Sequence, residues 1–134
     1  MRLGHCMTAL ITPMKETGQI DKLALRNLVE KLIAEGCDGF VVCGTTAEAS
    51  ALSLEEKKQV LHCVIEQSDQ RVCVWMGCGS NNTAETLNMI RWANTEPIDG
   101  IMLVCPYYVR PSQQGLYAHF AACARISEKP VMLY

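Results

Sequence analysis

At 134 residues the chain is one domain at most, long enough to bury roughly two thirds of its unfolded surface in a real core. With 49% hydrophobic and 19% charged residues it has the composition of an ordinary α/β protein, and a net charge of −2 excludes the basic field that nucleic-acid binding requires. No stretch approaches the roughly 18 consecutive apolar residues of a membrane span, so the expected partners are small molecules and other protein surfaces.

The N-terminus carries Arg2 and only a short apolar stretch, residues 7–11, broken by Thr8. That is not a secretory signal, and the chain is expected to be soluble and cytoplasmic. The stretch itself reads as a weak first strand. Leu25, Leu28, Val29, Leu32 and Ile33 then fill the i, i+3, i+4, i+7, i+8 template of an amphipathic helix, with Asp21 as its N-cap and Gly36 as its stop. A second apolar run covers residues 40–43. Ser53-Leu54-Glu55-Glu56 is a capping-box sequence, opening a helix expected to bury Val60, Leu61, Val64 and Ile65. After a third run, residues 72–76, Asn82 with Glu85 repeats the device ahead of Leu87 and Ile90. A fourth run covers 101–105, and Ser112 opens a fourth helix with Leu116, Phe120 and Cys123 inward. The last run, 131–134, has barely begun an apolar strand at Tyr134, so the chain is expected to be part of something larger.

Unbroken apolarity, rather than alternation, is what a strand shows when both faces are covered, as in a parallel sheet flanked by helices. The run ends recur about every 30 residues, one strand-helix unit each time. The predicted order is therefore β-α-β-α-β-α-β-α-β, with no linker or low-complexity segment. An open doubly wound sheet of flavodoxin type accepts five such strands, and so does the first half of a (β/α)8 barrel, which needs roughly 250 residues when whole. Periodicity does not separate the two.

Eight cysteines are present, but no pair has CxxC spacing, and His5, His62 and His119 form no zinc pattern beside them. They are read as small apolar side chains in a reducing compartment, without metal.

In either architecture ligands bind beyond the carboxyl ends of the strands. After the second run comes Gly44-Thr45-Thr46-Ala47-Glu48, where two hydroxyls and backbone N–H groups on a glycine-initiated turn suit a carboxylate. The same residues also read as a plain turn with Thr45 and Thr46 capping a helical segment. After the third run, Gly77-Cys78-Gly79-Ser80-Asn81-Asn82 begins like a dinucleotide fingerprint but puts Asn82 where the last glycine belongs, so no nucleotide cofactor is expected. After the fourth come Pro106-Tyr107-Tyr108-Val109-Arg110-Pro111, whose phenols either pack or relay protons. Tyr134 would face the same opening.

Taken together, these sequences resemble the dihydrodipicolinate synthase family, within the wider group that includes N-acetylneuraminate lyase. The matching residues are Thr12-Pro13, Gly44-Thr45-Thr46 with Glu48, Asn82-Thr83-Ala84-Glu85, a long motif from Pro106 through Arg110-Pro111-Ser112-Gln113, Gly115-Leu116-Tyr117 and His119-Phe120, and Leu133-Tyr134. Thr45-Thr46 stands where the lyase branch usually has Ser-Thr. The resemblance implies a (β/α)8 TIM barrel, here its first four βα units plus the fifth strand, that condenses pyruvate with aspartate semialdehyde in lysine biosynthesis without a cofactor. It further implies that a lysine amine forms a Schiff base with pyruvate, that Thr46 holds the pyruvate carboxylate, and that Thr45 links Tyr134 and Tyr108 in a proton relay. Tyr108 is expected to cross a subunit interface of a homo-oligomer.

Three departures qualify these expectations. The family's Schiff-base lysine lies on a sixth strand, and the lysines of this chain are expected on loops or polar helix faces, so residues 1–134 alone are expected to be inactive. Ala47 replaces the family's usual glycine, which would cost about 1 kcal/mol if the position needs a positive φ. At the positions that bind lysine as a feedback inhibitor in some members, Asn81, Glu85 and Tyr107 agree, whereas Ala49, Leu54 and Lys57 do not, and weak or absent lysine inhibition follows. Two other readings remain open: a non-catalytic half-barrel binding or interaction module, kept for its subunit surface or for pairing with a separate C-terminal half, and a self-sufficient flavodoxin-like domain. A half barrel would leave its first and fifth strands as free edges and expose its apolar inner layer.

Overall fold

A computed structural model describes residues 4–134; Arg2, used above in reading the N-terminus, lies outside them. Five strands, β1 (Met7–Ala9), β2 (Gly39–Val42), β3 (Cys73–Gly77), β4 (Gly100–Leu103) and β5 (Val131–Leu133), alternate with four helices, α1 (Lys22–Ala34), α2 (Leu54–Ser68), α3 (Thr83–Asn94) and α4 (Gln113–Ile126). Every strand pair is parallel, and the sheet order is β1-β2-β3-β4-β5. The order increases without reversal. A flavodoxin-like domain needs the order 2-1-3-4-5, so that alternative is excluded, and the architecture is the first part of a (β/α)8 barrel.

Strand alternation divides the apolar residues between two layers. Phe40, Val42, Val74, Met76, Ile101 and Leu103 point to the helices and share one core with Leu25, Val29, Val60, Leu61, Val64 and Ile90. On the opposite face Val41, Cys73 and Trp75 pack with Met7, Met102 and Met132. This inner layer is not laid bare at its centre, contrary to expectation. Trp75 is only 2% exposed because it lies over Gly100, where a Cβ would come within 2.6 Å of its ring, while Gly39 gives the same room to Cys73. Glycines on neighbouring strands let one large ring and one thiol fill the concave side.

The helix ends follow from local chemistry. Asp21 accepts from the Ala24 N–H (2.9 Å), and Gly36 (φ 94°) follows the last helical turn. Ser53 and Glu56 complete a reciprocal box, with the Ser53 N–H donating to Glu56 (2.8 Å) and the Glu56 N–H to Ser53 Oγ (3.3 Å). Such caps contribute about 1 kcal/mol each. The device at α3 differs from the expected one. Asn82 accepts from the Ala84 and Glu85 N–H groups, but its own N–H donates to Ser80 Oγ (3.1 Å), and Ser80 Oγ donates to Glu85 (3.0 Å). Ser80 is thus inserted into what would have been a direct return contact. Ser112 caps α4 by accepting from the Gly115 N–H (3.2 Å).

Candidate active site and adjoining cavity

At the carboxyl end of β2 the chain turns sharply. Cys43 takes a left-handed conformation (φ 55°), and its carbonyl packs on Gly77, a position at which any Cβ would collide with it. Residues Thr45–Ala47 then form one 3₁₀ turn, closed by donation from the Ala47 N–H to the Gly44 carbonyl (3.2 Å) and ended by Glu48 at φ 55°. Ala47 does not take a positive φ, so the strain that such a conformation would have brought is absent; the left-handed residues of this turn are Cys43 and Glu48. Ala47 is instead buried, and its carbonyl accepts from the buried Thr12 hydroxyl (3.0 Å). Thr12-Pro13 thereby tethers the turn to the segment after β1. Thr45 and Thr46 are exposed at the turn's surface.

The loop after β4 holds two more left-handed residues, Tyr108 (φ 69°) and Arg110 (φ 48°). A non-glycine residue in that region costs roughly 1–2 kcal/mol, which the short bond from the Val109 N–H to the Tyr107 carbonyl (2.8 Å) helps to hold. Tyr108 is 92% exposed and Tyr134 63% exposed. Tyr134 is fixed through its backbone, donating to the Leu103 carbonyl and accepting from the Cys105 N–H, each at 2.9 Å. The loops after β2, β4 and β5 therefore carry Thr45, Thr46, Tyr107, Tyr108 and Tyr134 at one end of the sheet.

Beside them opens a cavity of about 800 Å³ between α2, α3 and the ends of β2 to β4. It gathers Thr45, Asn81, Glu85 and Tyr107, whereas Thr46, Tyr108 and Tyr134 lie outside its lining. Burial pushes the Cys43 thiol at its floor up to about 12 and the Cys78 thiol up as well, so both are protonated and poorly nucleophilic. The positive charge of Lys57 works against both shifts.

Lys57 and Lys58 were expected on solvated helix faces, but both line this cavity and both are partly buried. Lys58 is paired with Glu55 (2.8 Å) and lies 5.9 Å from the Trp92 ring centroid. The sequence pattern also missed His119, buried on α4 with Nδ1 2.9 Å from Thr83 Oγ1. His119 falls one residue before Phe120 in the same inward stripe, and a strict apolar template passes over it. Six of the eight cysteines are buried, while Cys6 and Cys105 are exposed. Among the described residues no group of three His, Cys, Asp or Glu side chains is placed to hold a metal, and no helix is long and apolar enough to cross a membrane.

The model of the dihydrodipicolinate synthetase family matches residues 2–134. The chain is 46% identical to 4-hydroxy-tetrahydrodipicolinate synthase 2 of Halalkalibacterium halodurans, over all of this chain and 46% of that protein. It superposes on dihydrodipicolinate synthase DapA-2 of Bacillus anthracis with a TM-score of 0.95 and 42% identity, covering 100% of this chain and 46% of that one. A chloride-inhibited dihydrodipicolinate synthase of Acinetobacter baumannii, solved in complex with pyruvate, gives 0.93 and 40% over 96% of this chain and 44% of that one. The chain thus spans a little under half the length of these relatives. Its five-strand parallel sheet superposes on these structures almost from end to end, and the family model runs through every loop described above: the chain belongs to the dihydrodipicolinate synthetase family.

Proposed function

We propose that this chain supplies the keto-acid cradle and proton relay of a cytoplasmic, homo-oligomeric 4-hydroxy-tetrahydrodipicolinate synthase, which joins pyruvate to aspartate semialdehyde. In that reaction a lysine amine adds to the pyruvate carbonyl carbon and water leaves, giving an imine. Loss of a methyl proton then forms an enamine whose carbon adds to the aldehyde. The Thr46 hydroxyl and the N–H groups of its turn hold the pyruvate carboxylate. Thr45, Tyr108 and Tyr134 pass the protons that imine formation releases and consumes. Tyr108, left-handed and 92% exposed, reaches toward a neighbouring subunit.

The observation that supports this most is one of placement. The hydroxyl-bearing residues follow the carboxyl ends of β2, β4 and β5 in a chain 46% identical to a named synthase, and a 40% identical relative was solved with pyruvate. The amine is assigned to the sixth strand of a complete barrel, and residues 1–134 by themselves are inactive. Incubation with pyruvate and sodium borohydride, read by intact mass, tests this. The chain alone stays unmodified, and the adduct forms on the added segment when residues 1–134 are co-expressed with the second half of a relative. A reduced pyruvate adduct on a lysine of this chain would overturn the assignment.

A further inference from the structure

At the amino ends of β3 and β4, the far end of the sheet from the threonine turn, a second cavity of about 560 Å³ opens between the last turn of α2 and the loop that precedes β4. Ile65, Val72, Val74, Pro97 and Ile98 give it an apolar wall, while Glu66, Asp69 and Asp99 bring three carboxylates, and the lining contains no lysine, arginine or histidine. Two arginines at this end are committed to other groups. Arg26 pairs with Glu66 (3.1 Å), and Arg71 is held by Glu30 and by the carbonyls of Gln67 (2.7 Å) and Ser68 (3.1 Å). Arg71 is kept protonated first by its hydrogen bonds to Glu30 and least by the charge of Asp69. Among the described residues none of the ion pairs includes Asp69 or Asp99. Two negative charges are therefore left over. Asp99 is the partly buried one, and its Oδ2 accepts from the Val74 N–H (2.9 Å).

Carboxylates alone would make only a solvated patch, but the same lining holds Ser68, which is 1% exposed and whose Oγ has no hydrogen-bond partner. Buried hydroxyls are normally satisfied, and water does not reach this one, so a group seated in the cavity is the partner left to it. A ligand that answers all three features carries a positive charge for the carboxylates, N–H donors for Asp99 and Ser68, and a carbon body to cover the wall. The carboxyl end of α2 favours the same sign of charge. Among the described residues no group of three His, Cys, Asp or Glu side chains is placed to hold a metal, which makes the cation an organic one. We propose that this cavity is a binding site for a small aliphatic primary ammonium ion, held by Asp99 and Ser68 with its carbon chain against Val72, Val74 and Ile98.

The site shares no residue with the threonine turn or with the cavity beside it, and the proposal does not depend on the pyruvate reading. The test titrates the chain with pentylammonium, pentanoate and pentanol, reading saturation transfer to the ligand protons and the shifts of backbone amides. Pentylammonium is expected to bind at least about tenfold more tightly than either of the others, the worth of one charged hydrogen bond, with the shifted amides grouped at residues 65–74 and 97–99. Asp99→Asn keeps an acceptor for the Val74 N–H but loses the charge, and is expected to erase that preference. Ser68→Ala removes only the hydroxyl. It is expected to weaken pentylammonium binding about fivefold while leaving the urea midpoint unchanged or raised, since no hydrogen bond within the chain is lost. Equal or tighter binding of pentanoate or pentanol by the parent chain overturns the proposal without recourse to any variant. It is likewise overturned if pentylammonium shows no saturation transfer at about 10 mM, if the shifted amides lie at the threonine-turn end of the sheet, if Asp99→Asn keeps the preference, or if Ser68→Ala binds pentylammonium as tightly as the parent or lowers the urea midpoint.

Discussion

The carbonyl of Cys43 lies directly against the Cα of Gly77, and this contact fixes how the chain leaves β2 for the threonine turn. A Cβ on Gly77 would also stand 2.8 Å from the Cys43 carbonyl carbon and 3.2 Å from the Gly44 nitrogen, all main-chain atoms that cannot rotate away. Gly77→Ala is therefore expected to lower unfolding free energy by about 3 kcal/mol, the upper range for overpacking. Gly18 provides the contrast. It sits at φ 81° with open space around its Cα, so Gly18→Ala meets only backbone strain, about 1 kcal/mol. Urea midpoints for the two variants check the difference, and equal losses would show that the Cys43 contact is not rigid.

The family's glycine would bring no relief at Ala47. That residue is buried in the 3₁₀ turn without positive φ, so Ala47→Gly removes a packed methyl and adds unfolded-state freedom. A loss of about 1 kcal/mol is expected, where a strained alanine would have given a gain. Thr12→Val should cost more, about 1–3 kcal/mol, because it leaves the Ala47 carbonyl buried without its donor. The same denaturant series reads both, and stabilisation by Ala47→Gly would contradict the turn geometry.

The parts of the fold that sequence revealed are those governed by neighbours in the chain. Asp21, Ser53, Asn82 and Ser112 all cap the helices they were expected to open, because a cap is decided within three residues. The unbroken runs became the strands with shifts of one or two residues at their ends. Strand order was not legible, since an increasing order and a switched one bury the same apolar runs, and only the pairing of β3 with β2, rather than with β1, in space distinguishes them. The place of Lys57 in the cavity wall was hidden for a related reason. On α2 it follows the exposed Leu54 and Glu55 and looks solvated until α3 and the end of β3 wall off the space in front of it. The Thr-Thr turn and the tyrosine loop stood out as chemistry because hydroxyls after strand ends are a local signal. Their spread between the cavity and the open surface depends on three different loops.

His119 should make stability fall on the acid side of neutrality. Burial disfavours its charged form and lowers its affinity for a proton in the folded chain, where it meets Thr83, Cys123 and the edge of Phe120. The unfolded chain binds the proton near the ordinary value of 6.5 and the folded chain does so only at lower pH. Its contribution is thus complete above about pH 6.5 and is lost as pH falls through that value toward the lowered folded one. His119→Gln keeps a side chain able to meet Thr83 but does not titrate there. Unfolding free energies measured at about pH 7.5 and 5.5 should drop less in the variant than in the parent. Parallel losses would assign the acid sensitivity to other groups.

L-lysine should bind the cavity weakly despite the presence of Asn81, Glu85 and Tyr107 there. Glu85 already accepts from Ser80 Oγ and Asn82 Nδ2, one on each oxygen, so a ligand ammonium has to share its carboxylate with the α3 cap. Lys57 lines the same cavity with a like charge, whose repulsion of a ligand ammonium at about 4 Å would be on the order of 1–4 kcal/mol. Leu54 contributes bulk without a hydrogen-bond acceptor. Calorimetric titration is expected to show no sub-millimolar site for L-lysine. Lys57→Gln removes the repulsion while keeping an amide in place, and should tighten lysine binding by about tenfold or more. A sub-millimolar site in the parent chain, or no gain in Lys57→Gln, would mean that the charge of Lys57 does not govern what enters the cavity.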